Sequence, residues 1–125
     1  MLNIKNILDI TKLSLIRVKN PVPQVGYKNY SYSIDNDSIL IEDGVMDFII
    51  NKEGDLLLGN GHYKLNKKEK ELIFAGKVGI ESGKITYIDN DSGHYAPTLD
   101  ESIKFLEYFT KLPYVSKDKL SVNFK

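Results

Sequence analysis

Val78-Gly79-Ile80-Glu81-Ser82-Gly83-Lys84-Ile85-Thr86-Tyr87 is the stretch that decides the fold. Ser82-Gly83 is a turn signal between two runs rich in strand formers. A two-residue loop sets Glu81 opposite Lys84, Ile80 opposite Ile85 and Val78 opposite Tyr87. Opposite charges then meet at the turn and apolar pairs stack on one face, each pair contributing roughly 0.2–1 kcal/mol. A slip of one residue would turn Ile85 and Tyr87 to the wrong face. The pattern predicts an antiparallel hairpin from Leu72 to Asp89.

Downstream, Asn90-Asp91-Ser92-Gly93-His94-Tyr95-Ala96-Pro97 is a loop rich in turn formers. Thr98-Leu99-Asp100-Glu101 then reads as a capping box. The two acidic residues also suit the positive end of a helix dipole. Leu99, Ile103, Leu106 and Phe109 are the expected buried stripe, and Leu112-Pro113 the stop. Leu120 to Phe124 alternates as a final strand.

Upstream, Ser38–Glu42, Val45–Ile50 and Asp55–Gly59 read as a β-meander. Asp43-Gly44 is a hairpin signal, and Asn51-Lys52-Glu53-Gly54 makes a four-residue turn. Tyr30 and Tyr32 would share a strand face, followed by a turn at Asp35-Asn36-Asp37. Residues 3–18 carry apolar positions at helical spacing with Asn3 as N-cap, although Leu13 to Val18 also reads as a strand. Pro21 and Pro23 end that element. The expected core is Met46, Phe48, Ile50, Leu56, Leu58, Val78, Ile80, Ile85, Tyr87, Ile103, Leu106 and Phe109. The fold class is thus α+β: a bent antiparallel sheet, meander or partial barrel, with an N-terminal helix and a helix after the central loop.

The chain has 125 residues, of which 42% are hydrophobic, which fits a single domain with one core. Lys plus Arg equals Asp plus Glu at 17 each. That balance argues against a general nucleic-acid binder, whose affinity comes from phosphate neutralisation. The absence of cysteine excludes disulfides, thiolate catalysis and cysteine-ligated zinc. No uninterrupted apolar run approaches the roughly 20 residues that span a bilayer. No signal-peptide pattern opens the chain, and a cytoplasmic location is the simplest expectation.

The two histidines stand in matching tripeptides, Gly61-His62-Tyr63 and Gly93-His94-Tyr95. His62 and His94, with Tyr95, are the candidate catalytic residues, because imidazole titrates near neutrality and can donate or accept a proton. Alternatively, the pair could contribute to a metal site completed by Asp89, Asp91 or Glu42. The competing reading is structural, with a histidine bonding across a tight loop. Ser92 reads as a turn former rather than a nucleophile, since no Gly-x-Ser-x-Gly elbow surrounds it. Gly93 is expected to relieve crowding near a neighbouring strand or bound group. The tyrosines could line a groove for a nucleotide, sugar or peptide. No motif for a cofactor is present.

Ala75-Gly76, the hairpin after it, and Ser92-Gly93-His94-Tyr95-Ala96-Pro97 carry a resemblance. Over residues 45–112 the chain resembles the Ser-Gly-His-Tyr-x-Pro domain found at the C-termini of bacterial polymorphic toxin-like proteins. A similar segment occurs in plant IQ-motif calmodulin-binding proteins. Residues 1–44 lie outside the resemblance. The chain has His62-Tyr63 where the family often has His-Ser, and Phe74-Ala75-Gly76 where it has Ala-Ala-Gly. No IQ motif is present, so calmodulin binding does not carry over. The resemblance links His62 and His94 without naming a reaction. Two functions follow as expectations. One is a toxin-like or effector-like domain acting on a nucleotide or other small polar substrate through His62 and His94. The other is a non-enzymatic module that binds a small polar ligand or a protein partner, with His94 structural.

Overall fold

The computed structural model describes residues 1–20 and 26–125. The stop expected at Pro21 and Pro23 lies outside the described residues. The elements are β1 (Ile16–Arg17), β2 (Lys28–Tyr30), β3 (Ser33–Asp35), β4 (Ser38–Leu40), β5 (Gly44–Ile50), β6 (Leu56–Asn60), α1 (His62–Leu65), β7 (Glu71–Leu72), β8 (Phe74–Glu81), β9 (Lys84–Asp89), α2 (Leu99–Phe109) and β10 (Ser121–Asn123). Six strands form the main sheet in the order β10-β9-β8-β5-β6-β2, antiparallel except for β10 on β9. The pairs β1-β7 and β3-β4 are small separate sheets, and among the described residues no sheet closes into a barrel. The fold is α+β as expected.

β5 is the central strand, paired with β6 on one side and β8 on the other. Its alternation sends Met46, Phe48 and Ile50 to one face. There Phe48 meets Phe105 and Phe109 of α2 at ring-centre distances of 6.4 and 5.8 Å. Phe74 of β8 stacks on Phe105 at 4.2 Å, with the planes 1° apart. Phe124 joins the same cluster through Phe74. Burying large rings is the main local driving force, and paired rings add roughly 0.5–1.5 kcal/mol each beyond the area they bury.

Helix α2 starts where the sequence places it. Thr98 accepts from the Glu101 amide and Glu101 accepts from the Thr98 amide. Its buried stripe differs from the expected one. Ser102, Phe105 and Phe109 face the sheet, while Leu99 and Ile103 are exposed and Leu106 is half-buried. The two Phe rings bury more surface than Leu99 and Ile103 would, and that sets the helix rotation.

The β8-β9 hairpin turns through Ser82 and Gly83, both with positive φ (49° and 82°), as a type I′ turn requires. Glu81 pairs with Lys84 and Ile80 with Ile85, as read from the sequence. The register then shifts at Gly79. Tyr87 pairs with Gly79 rather than Val78, and Ile88 takes the place opposite Val78. Gly79 permits this, since a Cβ there would stand 3.0 Å from the Tyr87 Cβ. The bulge therefore buries Ile88 and leaves Tyr87 only half-buried, correcting its expected place in the core.

Three further expectations are corrected. Asp43-Gly44 is not a hairpin turn: Asp43 accepts from the Ser82 amide, and β4 pairs with β3 across the Asn36 turn. β4 therefore stands apart from the meander. The N-terminal helix over 3–18 is reduced to a single 3-10 turn, Ile4–Asn6, with Asn3 as its cap. The Ile4 amide bonds Gly54, the Leu2 carbonyl accepts from Leu56, and the Leu2 amide donates to the Tyr32 hydroxyl. Those partners hold the chain extended before a helix could use the same groups. Tyr32 lies outside β2, its hydroxyl also donating to Leu56, so it shares no strand face with Tyr30. The strand alternative for Leu13 to Val18 is realised in β1, which pairs with β7.

Phe105→Ala should cost about 3–5 kcal/mol, because it removes the ring that joins Phe48, Phe74 and Phe109. Ile103→Ala on the exposed side should cost less than about 1 kcal/mol. Urea unfolding of both variants checks the contrast, and equal losses would contradict the helix orientation.

Candidate functional site

Gly61 and His62 stand where β6 ends and α1 begins. Gly61 takes φ +94°, a turn that glycine makes without strain. Its amide donates to the Asp47 carboxylate at 2.8 Å. His62 is buried, with Nε2 at 2.7 Å from the Gly76 carbonyl. A carbonyl can only accept, so Nε2 carries the proton. The other nitrogen, Nδ1, faces Asp47 at 3.7 Å. Asp47 points away from the Phe48 side of the sheet by strand alternation, so His62 closes the opposite face.

Gly76 is the meeting point of β8 and the end of β9. A Cβ on it would lie 2.0 Å from the Asp89 carbonyl oxygen, so only glycine allows this approach. Immediately beyond, Asn90 is buried. Its amide donates to Pro97, Ser102 and Lys125, and its carbonyl accepts from the Lys125 amide. One side chain thus joins the loop, α2 and the end of the chain.

The loop itself is held from several sides. The Ser92 hydroxyl accepts from the Ala96 amide at 2.9 Å, which makes it a turn former. Gly93 has φ +59°, yet a Cβ there would meet nothing within 4 Å. The expected relief of crowding at Gly93 is therefore corrected: backbone conformation, not space, calls for glycine. The His94 ring is buried and stacks on Tyr63, centres 5.1 Å apart and planes 6° apart. The Tyr95 hydroxyl donates to the Glu69 carbonyl and accepts from Asn66. Burial pushes the Tyr95 phenol up to about 12.

Residues 19 and 20 clasp the loop from outside. The Lys19 and Asn20 amides both donate to the His94 carbonyl. The Lys19 ammonium donates to the Tyr95 and Ala96 carbonyls at 2.9 and 2.8 Å. This gives part of residues 1–44 a role: it fastens the motif that follows the hairpin.

The structure brings the two Gly-His-Tyr tripeptides together through the Tyr63–His94 stack. Among the described residues, no three His, Asp or Glu side chains gather into a metal-ligand set, so the completion by Asp89, Asp91 or Glu42 is not formed. The tyrosines do not share a groove: Tyr27 and Tyr30 are exposed, while Tyr32 and Tyr95 spend their hydroxyls on backbone partners. The sequence reading gives Asp47, Lys19, Asn66 and Asn90 no role at the site. Asp47 did carry a signal, as a charge within the apolar run Val45 to Ile50. The contacts of Lys19 and Asn66 depend on distant parts of the chain and left none.

On the loop's outer side lies a cavity of about 490 Å³, walled by Tyr87, Asp89 and Asn123 from the strands and by Gly93, Ala96 and Pro97 from the loop. Neither His62 nor His94 is part of its wall. No helix among the described residues is long and apolar enough to cross a membrane. Compared with family models, curated proteins and solved structures, the chain gives no match.

Burial lowers the His62 pKa from its ordinary 6.5, with Asp47 opposing the shift. The unfolded chain therefore takes up this proton first as pH falls. The stability linked to neutral His62 is complete above about 6.5 and declines as pH drops towards the folded value. Urea midpoints measured from pH 7.5 down to 5.5 should fall in the parent protein and flatten in His62→Gln. An identical slope in both would remove His62 as the source.

Proposed function

We propose that the chain is a non-enzymatic binding module in which His62, His94 and Tyr95 hold the loop and the ligand meets the loop's outer side. One observation carries this reading. Both imidazoles are buried, one on a backbone carbonyl and the other against a tyrosine ring, outside the walls of the loop-side cavity. A general acid or base must come within hydrogen-bond reach of the group it serves, and these rings are turned inward.

The residues that carry the resemblance to the Ser-Gly-His-Tyr-x-Pro domain support the same reading. Gly61-His62 and Ala75-Gly76 make one bond, and Gly93-His94-Tyr95 supplies the loop that packs beside it. In this reading the motif is the signature of a scaffold, and the reaction expected of a toxin-like two-histidine site is the competing proposal.

Two variants and a growth assay separate the two. His62→Leu leaves the Gly76 carbonyl without its donor, a loss of about 1–3 kcal/mol. For a chain of this size the melting temperature should fall by roughly 4–12 °C. His94→Leu should lower it as well by removing the ring contact with Tyr63. Expression of the parent protein in a bacterial host should leave growth unchanged. Growth arrest that either variant abolishes, with an unaltered melting temperature, would overturn the binding-module reading in favour of catalysis.

A further inference from the structure

The loop-side cavity is built from a bulge, a buried carboxylate and a strand edge. Strand alternation puts Tyr87 on the same side of β9 as Asp89, two residues on, beyond the register shift at Gly79. The Tyr87 hydroxyl donates to Asp89 Oδ2 at 2.8 Å. Asp89 Oδ1 already accepts from the Lys77 and Asp91 amides. Each carboxylate oxygen can accept two bonds, so Oδ2 has one position left. The Tyr87 hydroxyl has committed its proton and can serve a further partner only as an acceptor. Asn123 stands opposite on β10, exposed, with its amide nitrogen at a long 3.5 Å from the Tyr87 oxygen.

The side-chain charges of this wall are the carboxylates of Asp89 and Asp91 and the ammonium of Lys125. Asp89 is buried and held by three donors, and Asp91 pairs with Lys77 at 3.0 Å. With charges of both signs close together, the wall calls for neither a cation nor an anion, and the buried Asp89 carboxylate opposes a phosphate or carboxylate set beside it. It offers acceptors at Asp89 and Tyr87 and both donor and acceptor at Asn123, beside the Tyr87 ring and Pro97. Hydroxyl groups, which donate and accept, fit the polar part, and a ring with C–H faces fits the rest. The volume of about 490 Å³ lies in the usual small-ligand range.

We propose that this cavity binds a neutral, hydroxylated ring of the saccharide class. The proposal rests on the binding-module reading and names the ligand class for it. Amide chemical shifts of the full chain, titrated separately with methyl glucoside, N-acetylglucosamine, adenosine and inorganic phosphate, test it. The two saccharide probes should move residues 87–93 and 123 and saturate with a dissociation constant near or above about 1 mM. Asn123→Ala, melting like the parent, should weaken that binding about five- to tenfold, the scale of one neutral hydrogen bond. Tyr87→Phe, which also takes a donor from Asp89 and lowers the melting temperature, should weaken it at a temperature where it is still folded. Shifts at these residues with adenosine or phosphate but not with saccharides would overturn the ligand class while leaving a binding module. No shifts there with any probe would overturn the cavity as a saccharide site, and the histidine variants would still decide between scaffold and catalyst.

Discussion

The close approach of the Asp89 carbonyl to Gly76 is the constraint on which the motif region depends. With no Cβ on Gly76, the end of β9 can press against β8, at a point where a side chain would collide with backbone. The same glycine offers its carbonyl to His62, so the α1 turn is tied to the strand that β9 presses on. Two contacts at one residue thus set where the chain leaves the hairpin and where α1 sits. The loop that follows inherits both positions.

That arrangement explains why polar side chains can be buried so densely here. His62, Asp89, Asn90, Ser92, His94 and Ser102 are all buried, and no buried side-chain nitrogen or oxygen among the described residues lacks a partner. A buried polar network that is fully satisfied specifies one geometry, because every alternative leaves a donor or acceptor bare. Lys19 adds a clasp from the N-terminal segment, and Asn90 adds one through α2 and Lys125. The aromatic cluster around Phe48, Phe74 and Phe105 supplies the apolar counterpart, under α2 and on the face of the sheet opposite Asp47 and His62.

Much of the architecture was legible because it rests on local chemistry. The Ser82-Gly83 turn, the Glu81–Lys84 and Ile80–Ile85 pairs, the Asn51–Gly54 turn and the Thr98–Glu101 capping box depend on residues within a few positions of each other. The site was legible only as a location. The sequence reads His62 and His94 as linked, and Tyr63, next to His62, stacks on His94; their inward orientation follows from Gly76 and from the clasp by residues 19 and 20. Tyr87 was misplaced for a similar reason: a bulge is a one-residue decision made by packing against Gly79, and periodicity cannot see it.

By itself, then, the sequence determined the α+β class, the firm hairpin, the boxed helix and the presence of a punctuated loop between them. Turn and cap preferences act over a few residues and survive any tertiary context compatible with them. Tertiary structure alone decided that the N-terminal segment is extended, that α2 buries Phe105 in place of Ile103, and that Tyr87 leaves the core for the cavity. Each of these is a competition between two locally acceptable states. Contacts from far along the chain supplied the energy that separated them: Gly54 and Leu56 for the N-terminus, Phe48 and Phe74 for the helix, and Val78 packing Ile88 for the bulge.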